Sequence, residues 1–510
     1  MKTFFPRTSF IIIALVTLSS CAVGPDFRSP DMATPGHYIA APLPAQTASA
    51  QSESGAAQRF AFAEDLPGEW WTLFRSPVLD KMIKQGLADS PTLAAAQAAL
   101  RRAEEDLRAV SGSILYPAVN AGLQATRQRT SGNADMGPSD TFNLYNASVS
   151  VSYTLDLFGG GRRQIEAYQA QVDYQRYIFE ATYLTLTANI VTTAILEASS
   201  RAQINSTGEI LAAEQKQLDV IKKQFELGAV SKTAVLSQET ELAMSKAGLP
   251  PLEKQLDLAR HALSVLIGQF PGEGKLPEFS LESLHLPEEL PVSLPSLLAR
   301  QRPDIRASEA LLHQACAAVG VATANLYPQI TLSGGYGFQA ISTDILFNGQ
   351  SVVWNLGAGL LQPIFRGGEL TARRRSAIAA YDQAAAQYRQ TVLKAFQDVA
   401  DVLRALEADA RTLQAQAQAE AAAKAALALI EKQYELGAVS YPSLLIAQRD
   451  YQKTRMNLIA AQAQRYADTA ALFQALGGGW WNRPSTSANA GLKEKVDIGL
   501  SYPKEVMKND

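Results

Sequence analysis

The chain has 510 residues, 47% of them hydrophobic and 19% charged, enough to bury a large core and too many for one ordinary globular domain. A formal net charge of -3 and a pI near 6.0 leave no basic excess to set against a phosphate backbone, so no nucleic-acid partner is expected. The two cysteines, Cys21 and Cys316, stand too far apart in sequence to read as a disulfide framework or a metal cluster, and each is read alone.

Residues 1–20 read as a signal peptide: Lys2 and Arg7 precede an apolar run, Phe10 to Leu18, that is too short to span a bilayer. The run ends at Leu18-Ser19-Ser20-Cys21, which resembles a bacterial lipoprotein box and makes Cys21 the candidate lipidation site. The alternative is ordinary secretory cleavage that leaves a free thiol. Ala22 follows where an Asp would favour inner-membrane retention in such lipoproteins, so the resemblance implies the outer membrane. Residues 21–69 form a lipidated N-terminal arm, whose stretch Ala33 to Ser54, rich in Ala, Pro, Ser and Gln, reads as flexible. No later stretch is apolar for the length of a transmembrane helix, so any membrane span is expected to be made of strands.

Residues 70–290 form a first unit of pattern. An Ala-rich helix is predicted from Pro91 to Gly112, ended by Tyr116-Pro117 because the residue before a proline leaves the helical region. Strands are predicted over Val119 to Arg127 and Ala147 to Leu155; in the second, Ala147, Val149, Val151, Tyr153 and Leu155 alternate with Ser and Thr. The polar loop Thr130 to Ser139 between them suits a surface tip. Gly159-Gly160-Gly161-Arg162 then joins strand to helix; it lacks the Gly-Lys-Ser/Thr ending of a phosphate loop and reads as a turn. A helix of unusual length follows, Arg162 to Leu227, with Ile165, Tyr168, Val172, Phe179, Tyr183, Leu186 and Ile190 on one stripe; it is read as continuous through Gly208. Gly228 stops it, Ser231 can cap a return helix, and Gly248-Leu249-Pro250-Pro251 is expected to break that return helix.

Residues 291–481 repeat the order. Gln224-Phe-Glu-Leu-Gly-Ala-Val-Ser231 recurs as Gln433-Tyr-Glu-Leu-Gly-Ala-Val-Ser440, and Tyr116-Pro117 recurs as Tyr327-Pro328, which marks an internal tandem repeat. The second copy has a helix over Pro303 to Ala324, strands over Ile330 to Phe338 and Trp354 to Gln362, a loop over Ile341 to Ser351, and a helix without Gly or Pro from Glu369 to Leu436. Gly437 and Ser440 repeat the turn and cap. Residues 482–510 are a polar C-terminal tail.

The expected fold class is α+β, mostly α. Four strands per chain cannot close a membrane barrel, and an open edge in lipid strands unpaired backbone groups, so copies must associate. Eight strands leave an interior filled by side chains; three chains give a twelve-stranded transmembrane β-barrel, the smallest with a bore, continuing into a long coiled-coil helical barrel. Long helices are the stronger sign, since alternation also suits a soluble sandwich.

Several stretches together resemble the TolC-like outer-membrane factors, closest to the NodT-type lipoproteins: Cys21-Ala-Val-Gly-Pro-Asp-Phe27, Trp70-Trp71-Thr-Leu-Phe74, Arg302-Pro-Asp-Ile-Arg306, Gln362-Pro-Ile-Phe-Arg-Gly-Gly368 and Ala475-Leu-Gly-Gly-Gly-Trp480. The resemblance implies a homotrimer in outer-membrane lipid with helices in the periplasm, meeting a periplasmic adaptor (membrane fusion) protein and an inner-membrane efflux pump. Such a conduit needs no catalytic group and no cofactor. The docking residues are then expected at the hairpin tips, Leu227, Gly228, Ala229 and Val230 with Leu436, Gly437, Ala438 and Val439, although the same residues also simply make the turns. A Leu-Asp-Ala-Gln-Arg pattern that helps line the closed entrance in relatives reads Leu445-Ile446-Ala447-Gln448-Arg449 here, so its acid is missing. Arg449, with Asp450, Glu239 and Glu241, is a candidate for an ion-paired periplasmic gate; the alternative is a set of solvated helix-face charges.

An enzyme is disfavoured. His37, His261, His285 and His313 stand isolated, without the i, i+4 partner of a zinc helix, and Cys316 on an apolar helix reads as a packed small residue. A pore-less coiled-coil structural lipoprotein of the cell envelope is the second reading; it has no use for four alternating strands at fixed places. The exported substrate is not legible.

Overall fold

Proline at the first turn of a helix forfeits no hydrogen bond, and among the described residues four helices begin on one. The structure, a computed structural model, describes residues 22–30, 36–131, 140–273 and 276–483. In chain order its elements are β1 (Arg59–Phe62), α1 (Pro77–Asp89), α2 (Pro91–Leu115), β2 (Ala118–Arg129), β3 (Thr141–Leu155), α3 (Gly160–Glu226), α4 (Lys232–Leu266), β4 (Glu289–Val292), α5 (Pro295–Gln301), α6 (Pro303–Ala324), β5 (Gln329–Ala340), β6 (Val352–Leu361), α7 (Glu369–Glu435) and α8 (Tyr441–Ala475). The two long helices are 67 residues each and the two return helices 35 each. At about 1.5 Å per residue a long helix extends about 100 Å.

The residues cluster into two compact units that cut across the sequence repeats. Among the described residues, one comprises 22–30, 96–131, 140–179 and 306–391; the other comprises 36–95, 180–273, 276–305 and 392–483.

The first unit holds an antiparallel sheet of order β2-β3-β5-β6. Its register separates the two chemistries: Val149 lies opposite Ala121 and Tyr336, and Val151 opposite Val119 and Gly334, whereas Ser150 lies opposite Asn120 and Gly335. One face is therefore mostly apolar, and the other is mostly Ser, Thr, Asn, Gln and Gly, with Val353 and Leu361 of β6 among the large apolar residues on it. Leu123, Trp354 and Leu356 on the apolar face are exposed. Backbones crowd on the polar face, where a Cβ at Gly337 would come within 2.4 Å of the Ala147 carbonyl oxygen and 2.7 Å of the Ser148 Cβ. Among the described residues neither β2 nor β6 has a partner on its outer side.

Cys21 lies outside the described residues, as do residues 132–139 of the first strand-pair loop and 484–510 of the tail. The segment after Cys21 is held closely. Val23 N–H donates to the Phe158 carbonyl at 3.0 Å, Gly24 sits so near Gly320 that a Cβ would lie 2.5 Å from its Cα, and Phe27 stacks on His313 with centroids 4.3 Å apart. Cys316 is buried, with its Sγ donating to the Pro25 carbonyl at 3.6 Å, and burial pushes its thiol up.

The second unit is centred on aromatic packing: Trp70, Trp71 and Phe74 are buried, with Trp70 and Phe473 centroids 5.7 Å apart. Three sequence expectations are corrected by the structure. The stretch Ala33 to Ser54 is not free over its described part, because Arg465 is fully buried and its guanidinium needs acceptors. It donates to Thr47 Oγ1 at 3.1 Å, the Ser54 carbonyl at 3.1 Å, the Ala56 carbonyl at 2.7 Å and Gln58 Oε1 at 3.2 Å, while β1 pairs in parallel with β4. Next, α4 runs unbroken through Pro250 and Pro251. Both prolines face solvent, so water can take the two carbonyls they leave unpaired and packing on either side keeps the helix. Finally, α3 does contain an 18-residue window apolar enough to cross a membrane by composition, 44% buried in the fold. Its Ile190, Val191, Ala194 and Ile195 form a packed stripe. The helix is continuous through Gly208, as the sequence suggests.

Because the polar face has no room at Gly337, Gly337→Val is expected to overpack the strand by about 1–3 kcal/mol. Strand circular dichroism and folded yield in detergent should both drop; a variant that folds like wild type would show the face to be looser than described.

Candidate functional site at the helical tips

Each long helix stops by the same device. Gly228 (φ 77°) and Gly437 (φ 72°) are left-handed, and the following N–H reaches back, Ala229 to the Gln224 carbonyl and Ala438 to the Gln433 carbonyl, both at 2.8 Å. The turns thus satisfy helix-end carbonyls internally and leave their apolar residues outward: Leu227 and Leu436 are each 84% exposed. No atom lies within 4 Å of where a Cβ would stand on either glycine, so only the backbone angle demands glycine there. The caps differ. Ser231 Oγ accepts from Ala234 N–H at 3.4 Å, whereas Ser440 sits at the start of α8 with no capping bond, its hydroxyl instead 3.0 Å from that of Ser443.

Behind the tips, the ends of α3, α4 and α8 close over Leu218, Ile221, Val235, Leu242, Tyr441 and Leu444, with Ile430 and Tyr434 of α7 packed against them. A buried polar chain crosses this core. Tyr441 Oη donates to Gln238 Oε1; Gln238 Nε2 donates to the Glu214 carbonyl at 3.1 Å; Ser245 Oγ donates to Glu214 Oε1 at 2.9 Å. Burial pushes the Glu214 carboxyl up; the Ser245 hydrogen bond opposes this and the Glu241 charge adds to it. Burial likewise raises the Tyr441 hydroxyl.

Of the four candidate gate residues, two come together. Arg449 Nε donates to Glu241 Oε2 at 2.7 Å, and its Nη2 donates to the same oxygen. The Glu241 side chain is 4% exposed and that of Arg449 52%, so the arginine reaches from the surface onto a buried carboxylate, and that contact raises the arginine's own pKa. Glu239 pairs instead with Lys222 at 3.0 Å, and Asp450 is exposed and forms no ion pair among the described residues. Ile446, in place of the acid, is exposed. Glu214, Gln238 and Tyr441 escaped the sequence reading because nothing in their spacing marks them; Lys232 stands in the first copy where Tyr441 stands in the second.

The family model described as Outer membrane efflux protein matches this sequence over residues 82–269 and 294–478, well over half of the chain. The chain belongs to that family. The pyoverdine export outer membrane protein OpmQ of Pseudomonas aeruginosa is 31% identical to this family member over 81% of this chain and 87% of its own length. The toluene efflux pump outer membrane protein TtgF of Pseudomonas putida is 30% identical over 95% and 100% respectively. Among solved structures, the outer-membrane channel OprN superposes with a TM-score of 0.82 at 26% identity, covering 90% of this chain and all of that one. The Neisseria gonorrhoeae MtrE outer membrane channel, solved in its open state, does so at 0.77 and 26%, covering 91% of this chain. Family members are channel proteins, and this efflux protein is an outer-membrane channel subunit rather than a pore-less tether.

Because Glu214 has its carboxyl pKa raised in the folded state, the folded form holds the proton more tightly than the unfolded chain. Stability on its account therefore falls as pH rises from the ordinary 4.5 through the raised value. Glu214→Gln should raise the unfolding temperature at pH 7.5 and lose that advantage below pH about 4.5; a variant less stable at both pH values would contradict this.

Proposed function

We propose that three copies of this chain form a passive conduit, a homotrimer whose twelve strands close into a transmembrane β-barrel and whose helices form a coiled-coil helical barrel in the periplasm. The observation that carries the reading is the sheet with two free edges and two chemically distinct faces. A free edge in lipid leaves backbone groups unpaired, and antiparallel closure between copies removes every edge at once. The Ser, Thr, Asn and Gly face then borders water and the apolar face borders lipid. The family match in two stretches, and the equal lengths of corresponding helices, support an internal repeat that supplies two strand pairs and two hairpin tips per chain.

Lipidation of Cys21 fits the same placement. A Cβ at Gly159, beyond the end of β3, would lie 2.6 Å from the Ala22 Cα, so the residue next to Cys21 sits at the base of the strands, where acyl chains could enter the inner leaflet. At the other end the tips would present Leu227 to Val230 and Leu436 to Val439 to a periplasmic adaptor, and through it to an inner-membrane efflux pump. The conduit itself has no need of catalysis or a cofactor. Relatives named for pyoverdine and for toluene are about equally similar to it, which fits a channel whose cargo is chosen by its pump. In this reading the Arg449–Glu241 pair holds α4 against α8 in the closed entrance.

Leu227→Asp combined with Leu436→Asp should abolish efflux in cells while leaving the unfolding temperature within about 1–2 °C of wild type, since both side chains are exposed. Full efflux by that variant would remove the tips from the docking role. Arg449→Ala should raise conductance or open time in planar bilayers; unchanged conductance would assign the pair to stability alone.

A further inference from the structure

Two surfaces of the first unit are left bare, and their chemistry is complementary. Leaving β6, the chain exposes Ile364 (89%) and Phe365 (88%); entering β2, it exposes Leu115 (42%) and Tyr116 (68%). Deeper along the helices, α7 carries Arg373, Arg374 and Arg375, and α2 carries Glu104, Glu105 and Asp106. Residues 371–376 are all exposed, more than a full helical turn, so the start of α7 packs no face against its own chain. Arg374, Arg375, Glu104 and Asp106 form no ion pair among the described residues; Arg373 and Glu105 have only exposed neighbours on their own helices, Glu369 at 2.8 Å and Arg108 at 2.6 Å.

We propose that these surfaces meet between neighbouring copies. The arginine triplet of one copy docks on the acidic triplet of the next, beneath an apolar contact of Ile364 and Phe365 with Leu115 and Tyr116. The inference rests on the trimer reading and adds the residues that set its register. In the order β2-β3-β5-β6 with every pair antiparallel, β6 runs opposite to β2, so closure onto the next copy is again antiparallel. The end of β6 at Leu361 then lies beside the start of the neighbour's β2 at Ala118. The two apolar pairs fall within a few residues of those points, on one level. The charges follow about one and a half turns down α7 and nearly three turns down α2, about 8 Å from the start of α7 and about 15 Å from the end of α2, a difference of about 7 Å that an arginine side chain can span. Opposite charges met this way fix register, whereas a slipped pairing would set Arg against Arg101 and Arg102 of α2.

The test is a charge swap in the full-length chain. Arg374→Glu with Arg375→Glu should lower the temperature at which trimers dissociate in SDS by about 5–10 °C, and adding Glu104→Arg with Asp106→Arg should restore most of it. Reversal without effect, or no recovery on swapping, overturns the proposal. If the arginines instead hold lipid headgroups, reversal weakens binding to anionic vesicles and leaves dissociation unchanged, which also overturns it. In a Cys316→Ser background, Tyr116→Cys with Phe365→Cys should give covalent trimers on addition of an oxidant. Within one chain the two edges are about 14 Å apart, beyond disulfide reach. Monomers only, from a variant that still runs as a trimer without oxidant, would refute this contact and leave the trimer standing. A wild type of single-chain mass in detergent would refute the trimer itself.

Discussion

A strand edge carries a row of amide and carbonyl groups that hydrocarbon cannot satisfy, and the sheet of this chain has two such edges, β2 and β6. Much of the first unit follows from that constraint. Period-two alternation sorts apolar residues to one face and small polar ones to the other. Glycines at 335 and 337 let backbones approach on the polar face, where Asn355 and the 147–148 peptide leave no space for a Cβ. The bare start of α7 and the acidic run on α2 are otherwise unexplained, and both find a use once edges are closed by further copies.

The second unit solves a different problem, how to end two very long helices in water at a defined place. Helix propensity alone does not hold such helices; packing against their return helices does. The left-handed glycines stop them at equivalent points and turn leucine outward, which would be costly without a purpose at both tips. Just behind, a buried polar chain through Tyr441, Gln238 and Glu214 replaces what could have been uniform apolar core. Directional polar contacts of this kind specify one arrangement of helices more sharply than apolar packing does, although Glu214 Oε2 stays buried without a hydrogen-bond partner.

Most of the architecture was legible because it depends on local periodicity. Val149, Val151 and Tyr153 alternating with serines gave the strand, and the apolar stripe from Ile165 to Ile190 gave the helix. The failures have physical causes as well. Pro250 and Pro251 suggested a break, but exposure lets water compensate them. The composition of residues 33–54 suggested a free arm, and nothing local could reveal that Arg465, more than 400 positions later, would require its oxygens. The Arg449–Glu241 pairing spans 208 positions for the same reason: it is a product of two hairpins packing side by side, not of a motif.

The central claim, that the edges of β2 and β6 are closed by other copies, is most directly tested by amide hydrogen exchange on the detergent-purified protein. The account predicts that amides of both edge strands exchange as slowly as those of β3 and β5, which are paired on both sides within the chain. Rapid exchange confined to the outward amides of β2 and β6 would contradict it.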